Sequence, residues 1–354
     1  MKGLILAGGK GTRLRPLTYT GAKQLVPVAN KPVLFYAIEH LVEAGITEIG
    51  IVVGDTADQI MTAVGDGSKF GAVVTYIRQD QPLGIAHGVK IAEPFIGKDR
   101  FVLFLGDNFI RDGIIQLVER FRSGDFNALI ILKKVLNPQD FGVAEVDGDR
   151  VVRLVEKPKE PKSNLAVIGI YMFDHHVFEA VKAIKPSARG ELEITETIQY
   201  LIDSDLKVAA PELTGWWIDT GKMEDMLEAN RLVLETFDIR VDGTVDGESR
   251  LDGKVVIEKG AQVIGSVIRG PVIIGERTRI VNSFVGPFSS IDHDCLVINS
   301  EIEHSIVLDN SVIRDLDHRI ADSLIGRNVE INRSPYKPKS YKLMLGDHSK
   351  VGLI

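Results

Sequence analysis

The sequence predicts two folding units of different kinds: an α/β unit on a mainly parallel sheet over residues 1–237, then a coil of short stacked parallel strands within 238–354. Three observations predict this. Short uninterrupted apolar runs alternate with helical periodicity through the first two thirds of the chain. Beyond Val255 the helical period vanishes, and branched aliphatics recur every five or six residues. A segment rich in Asp and Gly, from Asp238 to Lys254, separates the two patterns and reads as a linker. A length of 354 residues favours the same division, being long for one average domain.

In the first unit, Leu4 to Ala7, Ile49 to Val53, Phe101 to Leu105 and Ala128 to Leu132 are continuous apolar runs, the pattern of strands buried on both faces. A helix is expected between the first two. Pro32 suits its first turn, Val33, Leu34, Ala37, Ile38, Leu41 and Val42 share one face, and Gly45 ends it. Such βαβ alternation implies a Rossmann-like sheet covered by helices, with ligands gathered beyond the carboxyl ends of its strands.

In the second unit the aliphatic series runs Ile257, Val263, Ile268, Ile274, Ile280, Val285, Ile291, Val297, Ile302, Val307 and Ile313. Gly260, Gly265, Gly270, Gly275, Asn282 and Gly286 fall between them as turn residues. Steps of six, five and six sum to one triangular turn, so each aliphatic points into a narrow prism. This resembles the left-handed β-helix of hexapeptide-repeat proteins, with a C-terminal tail after it. An antiparallel sandwich would instead show alternation along longer strands.

Composition narrows the function. Hydrophobic residues at 44%, with 26% charged and 6% aromatic, describe an ordinary globular chain. No apolar run approaches a membrane span, and the apolar start of the chain is too short for the core of a secretory signal, so a cytoplasmic address without membrane association is expected. A net charge of −7 argues against a nucleic-acid partner, which would need excess Lys and Arg. Cys295 is the only cysteine; an intramolecular disulfide is impossible, and a buried inert thiol is expected.

The strongest chemical signal is the opening, Leu6-Ala7-Gly8-Gly9-Lys10-Gly11-Thr12-Arg13-Leu14-Arg15-Pro16-Leu17-Thr18, followed by Lys23. Glycines directly after a strand let backbone N–H groups close on an anion, and Arg13 adds a permanent forked charge. This is a phosphate cradle of neither the Walker nor the dinucleotide type. Asp107 follows an apolar run, and Asp219 follows Trp216 and Trp217; two carboxylates at strand ends are suitable ligands for Mg2+, a hard ion that prefers oxygen.

These segments, with Leu105-Gly106-Asp107-Asn108, Glu156-Lys157-Pro158 and Trp217-Ile218-Asp219-Thr220-Gly221, closely resemble those of the glucose-1-phosphate thymidylyltransferases, in the same order. The repeat domain makes the chain similar to the long form of that family. The resemblance implies transfer of a nucleotidyl group from dTTP to glucose 1-phosphate. Arg13, Lys23, Asp107 and Asp219 would be catalytic, the two Asp as ligands of Mg2+. Leu6, Gly8, Gly9, Gly11, Thr12, Arg13, Gln79 and Gly84 would hold the nucleotide, with the Gln79 amide matching the oxygen and N–H edge of a pyrimidine. Gln81 is a neighbouring alternative. Gly142, Glu156, Lys157, Val167, Tyr171, Arg189 and Trp217 would surround the sugar phosphate. Phe141 departs from the Tyr common in short-form members, which removes one hydroxyl from the sugar side.

Nothing in the sequence detects the thymine methyl, so UTP is the alternative nucleotide. A second reading is a bifunctional enzyme whose prism transfers an acyl group, with His293, His304 or His318 as the base; a third is a non-catalytic regulatory subunit, against which the presence of Arg13, Lys23, Asp107 and Asp219 argues. The histidines lack metal-motif spacing and are expected to be incidental, including His87 and the pair His175-His176. The prism exposes flat faces and an open end, which self-association or packing against the first domain would cover, and a homo-oligomer is expected.

Overall fold

The computed structural model describes residues 1–148, 150–333 and 341–352. The chain forms two compact units. One holds Met1–Lys10, Gly21–Leu25 and Val33–Asp219; the other holds Gly11–Thr20, Val26–Pro32 and the chain from Thr220 onward. The division therefore differs from a single cut at residue 237.

The first unit is built on a nine-stranded sheet in the order Val73–Arg78, Glu48–Val53, Lys2–Leu6, Phe101–Leu105, Leu165–Phe173, Ala128–Lys134, Val208–Ala209, Arg150–Glu156, Gly142–Asp147. The four apolar runs are all strands. The helix expected after the first strand spans Val33–Glu43, and Gly45 ends it with φ of 72°. Val33, Leu34, Ala37, Ile38 and Leu41 are buried, the four larger side chains contributing roughly 1.5–3 kcal/mol each, so this stripe docks the helix on the sheet. Buried clusters fill both faces of the sheet.

The sheet is mixed, which corrects the expectation of a mainly parallel one. From Val73–Arg78 to Phe101–Leu105 the strands run parallel. Leu165–Phe173 is antiparallel to both its neighbours, and Gly142–Asp147 pairs antiparallel with Arg150–Glu156. Only two sequence positions separate the strands of the last pair, whereas a parallel crossover needs a dozen residues or more. The parallel half carries the glycine loop and Asp107 just past the carboxyl ends of Lys2–Leu6 and Phe101–Leu105, where α/β sheets hold ligands.

The second unit is the left-handed parallel β-helix. Its strands stack into three sheets, with register partners such as Val263, Ile280 and Val297 directly above one another. Every aliphatic of the series from Ile257 to Ile313 is buried inside the prism. Ser249, Ser266, Ser283 and Ser300 stack at 17-residue intervals, each hydroxyl but the last accepting the amide of the next serine at 3.0–3.2 Å. Asn282, like several other corner residues, has a left-handed backbone, with φ of 46°. Gly270 serves differently: a Cβ there would stand 2.0 Å from the carbonyl oxygen of Lys254.

Residues 238–254 are not a linker. Arg240–Val241, Thr244–Val245 and Arg250–Asp252 already pair in parallel with the following strands, so the coil starts at Arg240. The helix Met223–Leu234 packs on the strand Ser289–Ile291. Asn230, fully buried, accepts from Ala29 N at 2.8 Å and from Ser290 Oγ at 2.9 Å and donates to the Phe288 carbonyl at 3.0 Å. These bonds tie the helix and the short segment Val26–Pro32 to the coil.

Candidate functional site

Within the first unit, Asp107 follows the strand Phe101–Leu105. The next three residues, Asn108–Ile110, pair antiparallel with Trp217–Asp219, which sets Asp219 opposite Asn108. Lys23, 7% exposed on the short turn Lys23–Leu25, hydrogen-bonds Asp107 Oδ2 and lies 3.9 Å from Asp219 Oδ1. Burial works to raise the Asp107 carboxyl, but Lys23 beside it and the amide of Asn108 outweigh burial and hold it below its ordinary value. The structure thus brings together Lys23, Asp107 and Asp219. The donor chemistry fits a hard divalent cation, because Asp107 and Asp219 bring carboxylate oxygens to one neighbourhood, that of the Lys23 ammonium.

Asn108 was not among the expected site residues. It is 3% exposed; its Nδ2 donates to Asp107 Oδ1 at 2.9 Å, and its Oδ1 accepts from Trp217 Nε1 at 2.7 Å and Gly169 N at 3.2 Å. Trp217, expected at the sugar, is therefore also a strut for the carboxylates, and its ring meets Phe141 edge-on at 5.4 Å.

At the expected base end, Gln79, Gly84 and Gly8 converge. A Cβ on Gly8 would stand 3.2 Å from Gln79 Oε1, and Gln79 Nε2 lies 2.9 Å from His87 Nδ1. Leu6 is half-buried at the end of its strand. Gly84 has φ of 101° and starts the helix Ile85–Ile91; a Cβ there would collide with the backbone of Leu192. Gly9 lies beside Gln24, another residue missed: it is 3% exposed, and among the described residues its Oε1 has no hydrogen-bond partner.

The sugar-side residues form a third group. Gly142 faces Thr195, whose Cγ2 a Cβ would approach to 2.5 Å. Glu156 accepts from Arg189 Nη2 at 3.0 Å and Thr195 Oγ1 at 3.2 Å. Burial, and then the charge of Glu193, pushes the Glu156 carboxyl up, against the pull of Arg189 and Lys157. Arg189 also bonds Glu193, so its guanidinium is engaged by carboxylates of the protein. Lys157 has a left-handed backbone, φ 42°, with its amide on the Phe141 carbonyl and its side chain exposed. Val167 and Tyr171 are core residues; burial, and then the charge of Glu156, pushes the Tyr171 hydroxyl up.

Gly11, Thr12 and Arg13 belong to the other unit. Gly11 has φ of 61°, its carbonyl accepts from Thr18 Oγ1 at 2.6 Å, and it leads into the short turn Thr12–Leu14. The Arg13 guanidinium lies on Gly221, where a Cβ would come within 2.8 Å of Nη2.

In the coil, His293 pairs with Asp294 and His304 with Asp322, both at the surface, and no long insertion interrupts the described turns. Cys295 is 2% exposed, and burial pushes its thiol up to about 12. Asp174, His175 and His176 bring ligand atoms within 4.8 Å of one another, which their spacing did not suggest. Asp174 is already engaged there, accepting from Asn127 Nδ2 at 2.8 Å and from the amide of His176 at 3.0 Å. Among the described residues, no helix is long and apolar enough to cross a membrane.

The nucleotidyl transferase family profile matches residues 2–236. A glucose-1-phosphate thymidylyltransferase of Streptomyces griseus is 53% identical over 351 residues, covering 99% of both chains. A low-salt glycan biosynthesis nucleotidyltransferase of Haloferax volcanii is 47% identical over 358 residues, covering 100% of both. A crystal structure of a candidate glucose-1-phosphate thymidylyltransferase from Bacillus anthracis, in complex with sucrose, superposes with a TM-score of 0.62 at 41% identity, over 66% of this chain and 94% of that one.

Proposed function

Because this chain belongs to the nucleotidyl transferase family, among the glucose-1-phosphate thymidylyltransferases, we propose that its reaction is carried by Lys23, Asp107 and Asp219 together with the glycine loop and Arg13. The enzyme transfers the nucleotidyl group of dTTP to glucose 1-phosphate. A phosphate oxygen of the sugar attacks the α-phosphorus in line, the bond from that phosphorus to the pyrophosphate oxygen breaks, and dTDP-glucose and pyrophosphate leave. No side-chain nucleophile is needed, so catalysis rests on positioning and charge.

The observation that carries the assignment is the shared placement of two carboxylates around the buried Lys23 ammonium. Asp107 and Asp219 would hold Mg2+, which when bound supplies charge neutralisation at the triphosphate. Lys23 steadies the phosphates during transfer. Arg13 serves the triphosphate and the departing pyrophosphate, a role supported by its place in the glycine-rich opening. Leu6, Gly8, Gly9, Gly11 and Thr12 supply the cradle, Gln79 and Gly84 the base contacts. Glu156 accepts a sugar hydroxyl, Lys157 holds the sugar phosphate, and Gly142, Val167, Tyr171, Arg189 and Trp217 shape that side.

The working compartment we assign is the cytoplasm, where a triphosphate-dependent enzyme meets its substrates, and the working state is a homo-oligomer. One outer sheet face of the coil sets Ile264, Val281 and Ile298 in a row, beside Leu296 and Val312. A second copy would cover these aliphatics. Pyrophosphate release measured with a panel of triphosphates and sugar 1-phosphates tests the function: dTTP with glucose 1-phosphate should give the highest kcat/KM. A higher value with UTP or with an amino sugar phosphate would overturn the pairing.

A further inference from the structure

The carboxamide of Gln79 is held by two neighbours. Its Nε2 lies 2.9 Å from His87 Nδ1 and 3.5 Å from the Gly84 carbonyl oxygen. A carbonyl oxygen can only accept, so the amino end of the carboxamide faces that side. His87 Nδ1 must then offer a lone pair, which makes the ring neutral with its proton on Nε2. Burial, and then the charge of Lys90, lowers the His87 ring from its ordinary value and favours that neutral form. The other end of the carboxamide, Oε1, turns to the glycine loop beside Gly8. Both N–H groups of Gln79 are thus directed at the protein, so the carboxamide meets a base through its acceptor alone and not, as expected from the sequence, through donor and acceptor together.

Resting on Gln79 as the reader of the base, we propose that His87 is the positioning residue that sets base specificity. It locks the Gln79 carboxamide with Oε1 outward, so the site takes a pyrimidine carrying an N3–H, thymine or uracil. Cytosine, whose N3 is itself an acceptor, meets a second acceptor and is refused. A buried acceptor facing an acceptor leaves both unpaired, which is the stronger form of discrimination.

The test compares kcat/KM for dTTP, UTP and dCTP, at saturating glucose 1-phosphate, in the full-length wild type, His87→Leu, His87→Gln and Gln79→Ala. Leu removes the acceptor, leaves the carboxamide on its 3.5 Å contact alone, and lets it turn. The preference for dTTP over dCTP should then fall about three- to tenfold, the worth of one net hydrogen bond. Gln returns an acceptor oxygen and should keep the preference. A merely structural His87 would change melting temperature or all three nucleotides alike and leave the ratio intact. If the ratio is unchanged in His87→Leu but collapses in Gln79→Ala, the proposal is overturned and the reader stands. An unchanged ratio in both variants overturns the reader and the proposal together. Should the Leu variant be insoluble, His87→Lys carries the test: its ammonium donates, draws Oε1 inward and shifts the ratio toward dCTP, and an unshifted ratio again overturns the proposal.

Discussion

The indole Nε1 of Trp217 donates to Oδ1 of Asn108 at 2.7 Å, across a strand pair that also sets Asp219 opposite Asn108. The same Asn108 oxygen takes the Gly169 amide, and the other end of its carboxamide holds Asp107. One buried amide therefore orients the first carboxylate and ties down the strand that carries the second. Asn108→Asp keeps the acceptor but sets a negative charge against Asp107 in place of a donor. Turnover should fall on the order of 10²-fold through misplacement of Asp107, with the Mg2+ concentration for half-maximal activity shifted. Near-normal turnover at every Mg2+ concentration would remove Asn108 from the site.

Asp107→Asn and Asp219→Asn should each lower turnover on the order of 10²-fold or more while leaving the fold intact. Circular dichroism and pyrophosphate release on the same samples check both halves of the statement. Wild-type rates in both variants at saturating Mg2+ would sink the carboxylate assignment.

Glu156 has its carboxyl pushed above the ordinary 4.5, by burial first and then by Glu193. The folded state therefore binds this proton more tightly than the unfolded one, and the stability this proton confers is present at low pH and lost as pH rises through the raised value. Glu156→Gln should accordingly be more stable than wild type at pH 7, with the gain shrinking toward pH 4, and should use glucose 1-phosphate poorly. Urea unfolding at both pH values decides it; an equal or opposite difference at pH 7 refutes the reading.

Asn230→Ala would leave the buried Ala29 amide and the half-buried Phe288 carbonyl without their partner. A loss of roughly 2–4 kcal/mol of stability is expected from two such groups. Denaturant midpoints measure it, and a change below about 0.5 kcal/mol, the scale of an ordinary surface substitution, would show that the helix Met223–Leu234 is not anchored there.

Cys295, buried and with its thiol pushed up to about 12, should resist thiol reagents in the native protein and react once the chain is unfolded. Titration with a chromogenic disulfide before and after denaturation should read none and then one thiol per chain. Rapid native labelling would contradict the burial.

The features legible in sequence were those written locally. Four apolar runs marked four of the nine strands of the sheet, and the aliphatic series marked the prism, because both patterns are carried by neighbouring residues. The placement of Asp107 and Asp219 at strand ends was readable because they end apolar segments. The antiparallel half of the sheet was harder: Arg150–Glu156 exposes several of its residues and mixes charge with its aliphatics. The first turn of the coil was obscured because Asp242, Asp246 and Gly247 mimic a linker while Val245 and Leu251 quietly keep the aliphatic series. Asn108 with Trp217, 109 positions apart, and Arg189 with Glu156, 33 apart, belong to folded space and leave no periodic trace. His87 was visible only as a lone histidine, since its partner Gln79 lies on the far side of a turn.

The bond from Asn30 Nδ2 to the Ile291 carbonyl spans 261 positions of chain. During synthesis the amino-terminal segment emerges first, yet the atoms that fasten Ala29 and Asn30 emerge long afterwards. At about 5–20 residues per second the ribosome needs roughly 13–50 s to supply them. A nascent chain halted before that point carries every residue of the glycine-rich opening but lacks the scaffold on which the following segment rests. Synthesis through Ile291 is thus written into the architecture, and a product terminated before it is marked by an unfastened beginning.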